Sequence, residues 1–409
     1  MRIRNPLAGL PREISVLVVI AFLVALGFGI LAPAIPIFTR EFGVTKFQVG
    51  VVISVFAAMR FVSALFVGRL VDVIGERIVL TSGVWIVGVS SALAGLAGSY
   101  DQLVVLRGIG GVGSAMFTVS ALGLLLRTAG EEQRGRASGA FQGGFLLGGV
   151  SGPFVGGLIS EISIRAPFFI YAAMLGIAGV FALTALSGSA AARRDRSAAA
   201  RALPQDPEES GFAPLWRALH NRSFVTAMFV NLGNGFTAFG LRQSLVPLFV
   251  IEALLRGPLL VGIGFFVSAG VQGLLLIPAG RLSDERGRRP ALIAGTAGVT
   301  AGMLVLALAG NPAIFLVGMA VLGVGSAFMG SAPAAVVGDV AGARGGTVVA
   351  AFQMASDFGS IVGPLVAGIL ADKVGFPLAF ATGAAVSGIG LLLALTMRET
   401  RRISPAATA

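Results

Sequence analysis

The chain is 409 residues long, 56% hydrophobic and only 12% charged. That balance excludes an ordinary soluble domain. It has no cysteine, which excludes disulfides and thiolate metal sites. Its one histidine, His220, lies at the edge of an apolar run, so one histidine and one interior acid assemble no Ser-His-Asp set or metal cluster, and no cofactor or enzyme chemistry is expected. The net charge of +11 comes from arginines scattered over short segments between apolar runs. They suit contact with anionic lipid and leave no basic face for nucleic acid.

Twelve apolar runs are each long enough to cross a hydrocarbon core of ~30 Å. They lie at about 14–38, 46–68, 78–99, 102–126, 137–159, 166–187, 223–250, 258–280, 290–309, 312–338, 346–370 and 375–397. The first follows Arg2, Arg4 and Arg12 in the manner of a signal peptide, but more spans succeed it, so it reads as retained. The second contains Arg60 and leads into Gly68, Asp72, Gly75 and Arg77; the fourth contains Arg107. The fifth contains Gln142 and then Gly148-x-x-x-Gly152-Pro153-x-x-Gly156-Gly157. Gly148, Gly152 and Gly156 share one helix face, either a plain packing seam or one that must also slide. Pro153 loosens the helix there.

Residues 188–221 are polar, with Arg193, Arg194, Asp195, Arg196 and Arg201 ahead of Pro204 and Pro207. They read as a flexible linker. Its end, Phe212 to His220, suits a short amphipathic helix with Trp216 on the bilayer surface. In the seventh span Asn231, Asn234, Ala238 and Arg242 recur in steps of three, four and four, a stripe able to line an aqueous cavity. After the eighth come Gly280, Asp284, Gly287 and Arg288. The eleventh holds Gln353, Asp357 and Ser360 on one face; Asp357 lies roughly 20 Å in from Arg344 at ~1.5 Å per residue.

Two segments repeat. Gly68 to Arg77 returns as Gly280 to Arg289 with its aspartates, Asp72 and Asp284, 212 residues apart. Gly148-x-x-x-Gly152-Pro153 returns as Gly359-x-x-x-Gly363-Pro364, and Phe141-Gln142 as Phe352-Gln353, both at 211. The chain is therefore read as two related halves: a six-helix bundle over 1–187, a tether over 188–221 and a second bundle over 222–409.

The repeated Gly-x-x-x-Asp-x-x-Gly-x-Arg resembles the loop signature of the major facilitator superfamily, although Val73 and Glu285 stand where that family usually has a basic residue. Arg107-Gly108 followed by Gly110, Gly111 and Gly113 is similar to its fourth-span signature. The fifth-span motif resembles that of its proton-coupled drug exporters. The resemblance covers roughly residues 14–397 and implies an all-α membrane protein with twelve transmembrane helices in two pseudo-symmetric bundles. It also implies a central cavity opened alternately to each side, and a proton-transfer role for Arg107.

Charges inside a bilayer cost ~2.5–3.5 kcal/mol each on insertion scales and call for a reason. Asp357 can cycle a proton or sit in a static ion pair with one of the embedded arginines. Arg107 either joins that proton transfer or snorkels outward. Arg60 and Arg242, with Asn231, Asn234, Gln142 and Gln353, are candidates to face substrate. Asp72 and Asp284 are expected to reach helix N-termini in the opposite half, with Arg77 and Arg288 pairing to Glu131, Glu132 or Asp339, as gates. Placing both termini in the cytoplasm puts 22 of the 30 basic residues on that side and five on the other, which orients a multi-pass protein of the cell membrane.

The expected function is export of small amphipathic molecules by a monomer, in exchange for protons. Three embedded arginines against one aspartate also suit a carrier of a small organic anion, sugar or other metabolite, by symport or otherwise. A membrane protein that handles or senses lipid is a third reading.

Overall fold

The computed structural model describes residues 11–129, 133–185, 213–341 and 346–400. Among these there is no strand, and twelve helices are long and apolar enough to cross a membrane. In chain order they are α1 (Arg12–Arg40), α2 (Lys46–Ile74), α3 (Glu76–Gly95), α4 (Tyr100–Leu125), α5 (Arg136–Ile162) and α6 (Ala166–Ala185). The second set is α7 (Arg222–Ala253), α8 (Pro258–Arg286), α9 (Arg288–Ala307), α10 (Pro312–Val340), α11 (Thr347–Lys373) and α12 (Phe376–Thr396). A short helix, Ala213–Leu219, precedes α7 with Trp216 exposed; Phe212 and the rest of the expected tether lie outside the described residues.

Local sequence sets several boundaries. Thr45 caps α2 in a reciprocal box with Gln48, and Ser99, Asn221 and Asn311 cap α4, α7 and α10. Hydropathy ended the second and eighth spans near 68 and 280, but α2 and α8 continue to Ile74 and Arg286. The repeated motif is therefore the last turns of each helix, not a connector. Each helix is turned directly into the next by one glycine at positive φ, Gly75 (89°) and Gly287 (113°), a conformation that disfavours a side chain.

α7 departs most from expectation. It contains two π-helical segments, Gly235–Leu241 and Phe249–Ala253, with Pro247 between them withdrawing one backbone donor. The first lies where Gly235 and Gly240 press on the backbone of Ser356 and Gly363 in α11.

Within the first half α1 packs on α5 and α6, and α4 on α2 and α3. In the second, α7 packs on α11 and α12, and α10 on α8 and α9. One apolar core draws on residues 14–182 and another mainly on 218–397, the latter also burying Val44 and Val49 of the first half. The halves meet through α2 against α11 and α5 against α8. We call the end bearing Gly75 and Gly287 the terminal face, since the described chain begins and ends there, and the other the far face.

Candidate functional site

At the far face the halves are tied together. Asp372, at the end of α11, accepts from the backbone N–H groups of Lys46 (3.0 Å) and Phe47 (2.9 Å), the first turn of α2. Glu161, at the end of α5, accepts from Leu259 N–H (2.8 Å) in the first turn of α8. Each carboxylate meets unsatisfied donors and the positive end of a helix dipole belonging to the other half. Arg40 Nε donates to Glu252 Oε1 at 2.7 Å, and Lys46 Nζ lies 3.3 Å from Glu252 and 3.9 Å from Asp372.

Below these ties the backbones nearly touch. A Cβ on Gly50 would run into the Pro364 carbonyl of α11, and one on Gly262 into the Pro153 carbonyl of α5, at 2.6 Å. Gly157 packs against Gly262 and Pro258, as Gly368 packs against Lys46 and Phe47. Ser54 Oγ donates to Ile361 O at 2.6 Å. The fifth-span motif thus has two faces. Gly148, Gly152 and Gly156 meet α1 at Leu26, Gly29 and Ile30, while Pro153 and Gly157 meet α8 of the other half.

Midway along the α2–α11 contact, Arg60 Nη2 donates to Asp357 Oδ1 at 2.7 Å. Their side chains are 38% and 31% exposed, so water can reach the pair from the open end. Of the three embedded arginines only this one meets the aspartate. Arg107 is 5% exposed and lies over the Phe56 ring, 4.3 Å from its centroid, so it does not snorkel. Arg242 Nη1 donates to Ser268 Oγ at 3.1 Å beside Phe265. The Nε atoms of Arg107 and Arg242 have no hydrogen-bond partner, and neither residue meets a carboxylate among the described residues.

The other polar candidates are dispersed. Asn231 is buried and donates to Phe352 O at 2.7 Å, tying α7 to α11. Asn234 lines a small cavity of about 10 Å³ inside the second half, with Thr237, Thr296 and Ser387. Gln142 and Gln353 are exposed, and Ser360 is buried and bonded to Ser356 O.

At the terminal face the halves stand apart. A Cβ on Gly68 or Gly280 would meet nothing within 4 Å, and Leu65, Phe66, Val73, Leu274 and Ile277 are all exposed. Asp72 is exposed and meets no helix N-terminus among the described residues. Asp284 is held instead by Arg288 of its own half at 2.5 Å, and Arg288 also donates to Asp339 at 3.2 Å. Among the described residues the expected cross-half caps are not formed at this end, where Gly68 and Gly280 face open space. Arg77 donates to Leu183 O; its expected partners Glu131 and Glu132 lie outside the described residues.

A long two-fold-repeated bundle, sealed at one end and parted at the other, has a counterpart among known proteins. A family model described as the Major Facilitator Superfamily matches residues 17–271 and 234–408. The chain belongs to that superfamily of membrane transporters. An uncharacterized MFS-type transporter of Methanocaldococcus jannaschii is 24% identical over 371 residues, covering 90% of this chain and 93% of the relative. The quinolone resistance protein NorA of Staphylococcus aureus is 24% identical over 392 residues, covering 93% and 96%. Among solved structures, the nucleoside transporter NupG superposes with a TM-score of 0.72 at 15% identity, covering 94% of this chain and 98% of its own. A POT family transporter in complex with 5-aminolevulinic acid gives 0.74 at 13% identity, covering 95% and 96%.

In this major facilitator chain the far-face residues Arg40, Lys46, Glu161, Glu252 and Asp372 escaped sequence reasoning, which treated charges at span ends as topology alone. A signal was present. Glu161 and Asp372 are 211 apart, and Arg40 and Glu252 are 212 apart, the same offsets as the recognised repeats.

Proposed function

We propose that this transporter exports small amphipathic molecules from the cytoplasm by alternating access, driven by proton influx. It acts as a monomer in the cell membrane with both termini inside. In that orientation the structure is closed outward and open inward. The Arg60–Asp357 bond carries the reading, because it joins α2 to α11 across the seam that must shear when access alternates. A proton on Asp357 discharges the pair and frees Arg60; its loss restores the attraction. Arg107, stacked on Phe56 one turn along α2 from Arg60, is the second candidate for the proton path. Asp72, Gly75, Arg77, Asp284, Gly287 and Arg288 serve as the terminal-face gate in the opposite state. The likeness to NorA, named for quinolone resistance, supports export.

The test is reconstitution in liposomes under an imposed pH gradient. Asp357→Asn is expected to abolish uphill movement of cargo while leaving exchange across equal pH. Gradient-driven transport that survives this substitution overturns the coupling role.

A further inference from the structure

We infer that the cargo carries a negative charge beside an aromatic or otherwise flat apolar body, and that Arg242 is the residue that receives the charge. The inference rests on the reading of the chain as a transporter with a central cleft.

Four ionisable side chains stand deep in the spans, and the structure cancels two of them. Asp357 is taken by Arg60. That leaves Arg107 and Arg242 as guanidiniums with no carboxylate, each with a buried Nε that donates to nothing. A guanidinium carries five N–H donors and does not lose its proton in a protein. Holding one away from water without a counter-charge is costly, and the cost falls when an acceptor anion arrives.

The position of Arg242 decides between the two. α7 packs on α11 and α12, whereas α8 packs on α10 and α5. A side chain that leaves α7 and bonds Ser268 of α8 therefore spans the space between helices that hardly touch. It stands immediately beneath the segment Arg242–Leu248, where α7 meets the far-face end of α1. Arg107, by contrast, stays between helices of its own half.

The surroundings supply the apolar half of the recognition. Ser268 and Phe56 are 212 residues apart, so the repeat sets them at one depth on α8 and α2. Phe56 stacks with Phe28 at 6.4 Å between centroids, and Phe265 lies 5.9 Å from the Arg242 guanidinium. At that depth Phe56 is buried under Arg107, and Phe28, stacked on it, is the half-exposed ring of the first half, while the second half presents a cation. A flat anion satisfies both: its charge takes the open donors of Arg242, and its body lies against Phe28.

The experiment measures binding to the detergent-purified full chain by thermal shift, with no gradient. The probes are benzoate, cinnamate and 2-naphthoate, each against its primary amide. At least one carboxylate is expected to raise the Tm with saturation while its amide does not. Arg242→Gln is expected to weaken that binding by on the order of tenfold or more, and Arg217→Gln, at an exposed position of the short helix before α7, to leave the preference for the charged form in place. Equal response to acids and amides, no response to any acid, or an Arg242→Gln variant that binds like the parent overturns the proposal. The acid-against-amide comparison on the parent chain decides the matter alone if the variant does not fold. Binding without gradient-driven transport would overturn the coupled-export reading and leave this one standing.

Discussion

Glu161 and Asp372, 211 residues apart, perform the same act in opposite directions: each caps the first turn of a helix in the half to which it does not belong. The duplication thus supplies the far-face closure twice, once through α5 onto α8 and once through α11 onto α2. The two copies differ in their charge setting. Asp372 shares Lys46 with Glu252, whereas the residue matching Lys46 in the second half is Pro258, so Glu161 has backbone donors and no such cation.

Removing one cap is expected to loosen the closed far face without unfolding the chain. A lost cap costs about 1 kcal/mol, which is about fivefold in the open-to-closed ratio. Asp372→Ala and Glu161→Ala should each have that effect, and together more. The chain has no cysteine, so Val49→Cys, buried against the second half, provides a clean reporter for labelling by an impermeant maleimide from the far side. Unchanged labelling in both variants would remove the caps from the gate.

Glu252→Gln should act more strongly than either cap, because Glu252 meets both Arg40 and Lys46. The same Val49→Cys reporter should label several-fold faster. Arg40→Ala should label less quickly than Glu252→Gln, since Lys46 still reaches the carboxylate.

Arg60 and Asp357 should be strongly non-additive. Either single neutralisation strands the partner charge inside the bilayer, whereas Arg60→Gln with Asp357→Asn strands none. The double variant is expected to melt above at least one of the singles. The coupling should be on the order of 1 kcal/mol, kept small by the water that reaches this partly exposed pair. Additive losses in the thermal cycle would mean that the bond contributes nothing measurable.

Glycines on a single helix should separate by what they face. A Cβ at Gly156 would strike the Ile30 backbone, while one at Gly149 meets nothing within 4 Å. Gly156→Ala should cost about 1–3 kcal/mol by forcing α5 off α1. Gly149→Ala should be neutral or slightly stabilising. Equal melting temperatures would show that the seam is not closely set.

The twelve helices and the fold class were legible because hydropathy, glycine punctuation and the echoed motifs all bear on the same helices. Asp357 was legible for a simple reason: an acid deep in an apolar run stands out. Its partner was not, since Arg60, Arg107 and Arg242 look alike in sequence and only the α2–α11 crossing selects the first. The polar stripe of α7 was read from even spacing alone, and spacing does not say which neighbour each side chain meets: Asn231 bonds α11, Asn234 lines a small cavity with Thr296 and Ser387, and Arg242 reaches α8. The aspartates of the repeated motif were assigned contacts that require a closed terminal face, whereas this structure closes the far one.

The bond between Arg40 and Glu252 joins positions that the repeat superimposes on one another. On a two-fold axis a residue meets its own copy, so a dimer of identical half-length chains would have set arginine against arginine, or glutamate against glutamate. This clasp therefore requires two halves that differ at this position: it is a contact that exact two-fold symmetry cannot make.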